Sequence, residues 1–324
     1  MQPSMRGLHS SFFVGGEMIQ YIIRRILQFI PVLLAVTIFT FTLVRIIPGG
    51  PFDRIGDKTL PPEIRANLEA KYNLDEPIWQ QYLRYLWNLL HFDLGPSLKF
   101  RTQTVNDIIG GALPVSAQLG VLSMILAVVI GIPTGIIAAL YRNTSIDYGA
   151  TFLAIFFRSV PNIVLGPVLI LIFALRLGWL PVARWESPAH WVLPVVTLGT
   201  AYSAGIARLT RGSLLEVMGE DYIRTARAKG LREMVVIGRH ALKNALIPVV
   251  TYLGPVLAAV VTGTFVVETI FGIPGLGRHF VDSVNNRDYP LVMGTALTYA
   301  LLLVSANLLV DITYAWLDPR IRYD

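Results

Sequence analysis

Six long apolar runs dominate this sequence and restrict the kind of solvent in which it can fold. The first, Ile26 to Ile47, is about 22 residues or roughly 33 Å as a helix, enough to cross the hydrocarbon of a bilayer. The others run from about Pro114 to Ala139, Tyr148 to Leu175, Trp191 to Leu209, Leu246 to Val267 and Leu291 to Trp316. Only 15% of the residues are charged, against about 25% in soluble domains. The expected fold class is therefore all-α: a polytopic membrane protein of six transmembrane helices. The first run is not a cleaved leader, because such leaders have an apolar core of only about 7 to 15 residues followed by a small-residue cleavage site.

Charge sets the expected orientation. Arg24 and Arg25 precede the first run, and with six spans the basic stretch Arg211 to Lys243 falls on the same side, with Arg142, Arg320 and Arg322. By the positive-inside bias that side is the cytoplasm, so both termini are expected there, in a bacterial inner membrane. The net charge of +6 is concentrated mainly in this central loop, and no basic patch interleaved with aromatics points to nucleic acid. Residues 1–17 read as a tail or an over-extended start ahead of Met18; 18–47 hold the first span, 48–111 an extracytoplasmic segment, 112–316 the core transmembrane domain with its loop 211–245, and 317–324 the cytoplasmic end.

The extracytoplasmic segment reads as helical. One helix starts after Pro61-Pro62 and runs to about Tyr72; another starts at Pro77 and places Ile78, Tyr82, Leu86, Leu89 and Leu90 on one face before Gly95-Pro96 stops it. Two readings stand: a small cap packed on the membrane domain, or a docking surface for an external partner.

The stretch from Arg211 to Pro248 is a polar interruption between apolar runs, with seven Lys/Arg against four acids. Its pattern suits a folded helix-turn-helix at the membrane surface. Met218, Tyr222, Thr225 and Ala226 share one helical face, Gly230 punctuates, and Met234, Val235, Ile237 and Gly238 begin a second face. A soluble partner is expected to dock here.

Chemistry of its own is not visible in the chain. The histidines form no HExxH pair, no Gly-Lys pair exists to build a phosphate-cradling P-loop, and there is neither a GxSxG elbow nor a cysteine. No catalytic residue, cofactor site or metal site is expected. Four charged residues fall in or near the apolar runs: Arg45, Arg158, Glu268 and Asp311. Arg45, Glu268 and Asp311 are near span ends and read as structural. Arg158, well inside its run, either lines a translocation path or subunit interface, or snorkels or pairs structurally. Glycines and prolines recur within the runs, among them Gly131, Pro133, Gly135, Pro161 and Gly199, as close helix packing requires.

The central stretch resembles the cytoplasmic coupling loop of ABC importer transmembrane subunits. In its general form that loop reads Glu-Ala-Ala, three residues, Gly, nine residues, then Ile-x-Leu-Pro. Here Gly230 matches, Arg224-Thr225-Ala226 stands in place of the triplet, and His240-Ala241-Leu242-Lys243 in place of the last four. IRTARAKGL followed by RHALKNALIPV is similar to the version found in the oligopeptide/dipeptide/nickel permease family. The opening IIRRILQFIPVLLAVTIFTFTLVRIIPGGPF, then LPPEIRANLEAKYNLDEPIWQQY, DLGPSLKF, ETIFGIPGLG, NRDYPLV and LDPRIRY resemble the B-type permease of oligopeptide importers over nearly the whole chain after Met18.

This resemblance implies a type I ABC importer permease fold and a multi-part machine. The chain would pair with a second homologous permease, two cytoplasmic ABC ATPases that bind ATP and Mg, and an extracytoplasmic peptide-binding protein, amid membrane lipid. The resemblance makes Glu220, Asp221, Tyr222, Arg224, Thr225, Ala226, Arg227, Lys229 and Gly230 the residues that meet an ATPase. Oligopeptide is the expected cargo, with dipeptides, cell-wall peptides or nickel as alternatives. From other classes, an ATP-independent channel or secondary transporter would show internal repeats and intramembrane ion ligands, and a receptor or scaffold would assemble without uptake.

Overall fold

A computed structural model describes residues 9–47, 49–52, 54–55, 58–59, 61–100, 102–261 and 265–317. The fold is almost entirely helical, as expected; among the described residues the one strand pairing in a named sheet is a pair of two-residue strands, β1 (Arg54–Ile55) and β2 (Lys58–Thr59), with Arg54 opposite Thr59. The helix α1 (His9–Ile46) begins inside the segment set aside as 1–17. Residues 1–8, most of the C-terminal segment 317–324, and Gly263 lie outside the described residues.

The chain forms two compact units, one made of residues up to Leu113 together with those from His279 onward, the other of Pro114–Arg278. In the first, α1 packs along the last helix, α14 (Tyr289–Leu317). The outer segment contributes α2 (Pro62–Lys71) and α3 (Ile78–Leu90), each entered from a proline, Pro61 and Pro77. Proline is tolerated there because the first helical N–H groups have no intrahelical partner to lose. Phe41 and Val44 of α1, Tyr85 of α3, and Val292 and Met293 of α14 form one core cluster of this unit. Buried Asp288 closes it by accepting hydrogen bonds from Ser97 Oγ and from the N–H groups of Leu98 and Lys99, at 3.1 and 3.2 Å for the latter two.

The second unit is organised around α7 (Pro188–Met218). Its most apolar stretch is 61% buried, whereas that of α1 is 11% buried, so α7 is a core element and α1 leaves most of its apolar surface uncovered by this chain. α4 (Val105–Leu140) approaches α7 closely through small residues. A side chain at Gly131 would meet Ile206 Cβ and Ser203 O at 2.8 Å, and one at Gly199 would meet Ser123 O at 2.9 Å. Such backbone-to-backbone proximity is how helices associate where hydrocarbon offers no hydrophobic drive between them.

The run from Tyr148 to Leu175, expected as one span, is broken. α5 (Ser145–Ser159) and the helix that follows it, α6 (Asn162–Leu169) with its π-helical continuation Ile170–Arg176, meet at an angle of 102°. Pro161 causes the break: it disfavours helical torsions in the residue before it, and Val160 is extended (ψ 116°). Among the described residues four helices can cross a membrane by length and composition, or five if the bent pair is one span, and α11 (Ile247–Val261) adds a shorter apolar helix.

Candidate functional site

The site is built where α7 leaves the apolar interior. Ser213 and Leu214 are still buried, while Gly212 and Glu216 reach the surface. The chain turns at Gly219-Glu220 and enters α8 (Asp221–Ala228), in which Ile223 and Ala226 alone are buried. They join Leu214, Ala139 of α4, and Val236, Ala241 and Ala245 in one cluster. The helical face expected through Met218, Tyr222, Thr225 and Ala226 is thus rotated. Ile223, the larger apolar side chain, takes the inward position; Tyr222 and Thr225 turn outward. Thr225 returns its hydroxyl to Asp221 O at 2.9 Å, and Asn244 Nδ2 donates to Tyr222 Oη at 2.8 Å.

α8 ends on Gly230, whose φ of +76° lies in the left-handed region. The Gly230 N–H bonds to Arg227 O and the Leu231 N–H to Ala226 O, at 2.9 and 3.4 Å. That pair of bonds is a Schellman motif, which satisfies the last carbonyls of a helix and wants glycine at its left-handed position. The chain then passes through α9 (Glu233–Val235), a π-helical stretch Val236–Ala241, and α10 (Leu242–Ala245). The wider π turn explains why the second face differs from the one read in the sequence: the buried positions are Val236, Ala241 and Ala245, while Met234 is 87% exposed and Val235 is also exposed. A spacing of five between buried residues has no place in a 3.6-residue period.

Two ion pairs brace this element. Arg227 reaches from α8 to α9 and donates to both oxygens of Glu233, at 2.6 and 3.2 Å. Those bonds hold the Glu233 carboxyl below the ordinary carboxylate range. Arg211 donates from Nε and Nη2 to the two oxygens of buried Asp147, each at 2.7 Å, tying α7 to the first turn of α5. The remaining site residues, Glu220, Asp221, Arg224 and Lys229, are exposed, as is Gly230 itself. Arg224 and Asp221 pair at 3.2 Å on that surface.

Arg158 stands apart from this element, exposed in the last turn of α5. A side chain at Gly205 of α7 would come within 3.5 Å of Arg158 Nη1 and 2.9 Å of Tyr252 Oη, so guanidinium and phenol converge on one bare stretch of helix. Arg45 folds back over the Phe41 ring at 3.4 Å and donates to Phe41 O and Gln81 Oε1. Glu268 is fully buried and hydrogen-bonded. Both suit the structural reading; the side chain of Asp311 lies outside the description. Among the described residues no group of His, Cys, Asp and Glu is arranged to hold a metal.

The family model described as binding-protein-dependent transport system inner membrane component matches residues 131–323, and its N-terminal companion matches residues 18–97. The oligopeptide transport system permease protein OppB of Escherichia coli (strain K12) is 47% identical over 308 residues, 94% of this chain and 100% of that protein. The chain belongs to this permease family. The dipeptide transport system permease protein DppB of Bacillus subtilis (strain 168) is 46% identical over 305 residues, 94% of this chain and 98% of that one. Among solved structures, one of the MetNI methionine ABC transporter in an inward-facing conformation gives a TM-score of 0.56 at 21% identity, covering 65% of this chain and 96% of that one, which supports the fold.

As a member of this permease family the chain is a multi-pass membrane protein, and the matched region 131–323 contains the whole of α8 and its supports. Two of those supports were missed in the sequence. Ile223 was legible as the one large aliphatic side chain in the octet DYIRTARA. Asp147 was legible as an acid at the mouth of an apolar run, a position that demands a partner.

Proposed function

We propose that this chain forms half of the translocation pore of an ATP-driven oligopeptide importer and that α8 is the element through which partner ATPases drive it. The observation that carries this reading is the two-sidedness of α8. Ile223 and Ala226 are locked into the body of the permease, while Asp221, Tyr222, Arg224, Thr225 and Lys229 are offered outward on a rigid, capped helix. A surface helix held this way transmits displacement, since a packed element moves as a body. Force on α8 passes to α7 through Leu214 and to the start of α5 through the Arg211–Asp147 pair.

In this reading six spans, counting the bent pair and α11, place both termini and α8 in the cytoplasm of a bacterial inner membrane. A second homologous permease completes the pore, two cytoplasmic ABC ATPases hold ATP and Mg, and an extracytoplasmic binding protein delivers the peptide. The chain itself carries no catalytic group. Cargo selection rests mainly with the binding protein, so the pore needs few specific side chains; Arg158 and Tyr252, converging on Gly205, face the path or the subunit interface. The identities to oligopeptide and dipeptide permeases support a peptide cargo.

Mild-detergent purification through a tag on this chain tests the reading. Two ATPase chains and a second permease should accompany it, and the complex should hydrolyse ATP faster with binding protein and peptide. Isolation of this chain alone, transporting in vesicles without ATP, would replace the reading with that of a secondary transporter.

A further inference from the structure

Helix α3 carries more apolar surface than the protein covers. Tyr82 and Tyr85 pack against Phe41, Val44, Val292 and Met293. On a helical projection Trp79, Leu83, Trp87 and Leu90 fall within one further arc of about 80°. All four are exposed, between 56% and 75%. Gln80, Arg84, Asn88 and Gln81 occupy the adjoining polar arc.

The depth of the helix decides what meets that arc. Tyr82 Oη lies 3.1 Å from Thr37 Oγ1, and Ile78, Trp79 and Tyr82 share a groove with Ile38, Phe41 and Thr42 of α1. Ile38 is about 12 Å of helix rise below the last residue of α1, well inside the apolar run that crosses the bilayer. Around that groove α1 presents Ile30, Leu34, Ile38 and Phe39 outward. The start of α3 is therefore beside the uncovered apolar part of α1, not above it, and the bare arc continues that apolar surface. Paired tryptophans beside an arginine are the composition that suits the boundary between acyl chains and headgroups.

We propose that α3 is an outer-leaflet helix, with Trp79, Leu83, Trp87 and Leu90 solvated by phospholipid acyl chains and the Gln80–Arg84 edge by headgroups and water. It is neither a cap in water nor primarily a protein-docking face. The proposal needs only the membrane placement of the family and is independent of the cargo.

The chain contains no cysteine, so single nitroxide labels at Leu83→Cys, Leu90→Cys and Arg84→Cys report on it cleanly in the full complex, with partner cysteines removed, in phosphatidylcholine nanodiscs. Collisions with oxygen, which concentrates among acyl chains, should exceed those with a water-soluble nickel chelate severalfold at positions 83 and 90, and the ratio should fall at 84. As a second measurement that attaches no label, brominated phosphatidylcholine should quench the native tryptophan emission more strongly than it quenches a Trp79→Phe/Trp87→Phe variant. Nickel-dominated collisions at 83 and 90 would overturn the proposal in favour of a cap in water. Protection from both reagents that is lifted by removing the second permease or the binding protein would overturn it in favour of a protein interface.

Discussion

Arg211 and Asp147 meet through two hydrogen bonds of 2.7 Å, with the Asp147 side chain 2% and the Arg211 side chain 30% exposed. The pair joins the first turn of α5 to α7 just before α7 gives way to the surface element. A forked guanidinium matches a carboxylate in a way that an ammonium does not. Arg211→Lys should therefore keep the charge and lose the second bond, and Asp147→Asn should leave a guanidinium short of its counter-ion. Both should lower the thermal midpoint of the purified complex and weaken transport more than Glu186→Gln, whose partner Arg184 is itself exposed. Equal midpoints and equal transport for all three variants would count against the proposed route of force through this pair.

Gly230 separates a backbone requirement from a side-chain one. Its surroundings are open, with no atom within 4 Å of an added Cβ, yet its φ is +76°. Gly230→Ala should cost about 1 kcal/mol from the left-handed torsion alone. Gly230→Val should cost more, and Gly230→Asn, which tolerates that region, least. Peptide-stimulated ATP hydrolysis measured across the series should follow that order. A series that instead followed side-chain volume would mean that the partner surface, not the helix cap, imposes glycine here.

The Arg227–Glu233 pair has a definite pH signature. Glu233 is held below its ordinary value of 4.5 by the hydrogen bonds from Arg227. A carboxyl whose folded value is depressed contributes stability that is fully present above its unfolded value and is lost as pH falls through the folded value. The difference in stability between the parent chain and Glu233→Gln should thus be constant from neutral pH down to about 5 and shrink below that. Because both side chains are about half exposed, added salt should also reduce it. Thermal midpoints of the two proteins across pH and salt measure both effects.

What was legible in the sequence follows from what each signal encodes. Apolar runs encode burial in lipid, so the helical class and the polar break at Arg211–Pro248 were visible, and Gly230 announced the left-handed cap it occupies. Runs do not encode direction: the 102° bend at Pro161 needed the torsion of Val160, which an apolar window averages away. Periodicity assumes 3.6 residues per turn, so the π-helical Val236–Ala241 stretch displaces the second face, and the face read through Met218, Tyr222, Thr225 and Ala226 omits the buried Ile223. Long-range pairs such as Arg211 with Asp147 leave only the trace of an acid beside an apolar run, with nothing local to name the partner.

Glu268 puts the structural reading of a membrane carboxylate to a direct test. It is fully buried; Ser116 Oγ donates to Oε1 at 2.8 Å and the Arg278 N–H to Oε2 at 3.0 Å, while the Leu276 N–H donates to Ser116 Oγ at 2.8 Å. Carboxylate and hydroxyl together thus satisfy free N–H groups in the first turn of α13 (Leu276–Asn286), groups that have no intrahelical acceptor. Glu268→Gln replaces one acceptor oxygen by an amide donor and should cost about 1–3 kcal/mol, and Ser116→Ala about 1 kcal/mol. The two residues serve one network, so the double variant should fall short of the sum. Thermal unfolding of the detergent-purified complex reads these costs, and transport should decline in step with stability. If Glu268→Gln left the midpoint unchanged and abolished peptide uptake, the carboxylate would belong to the translocation path.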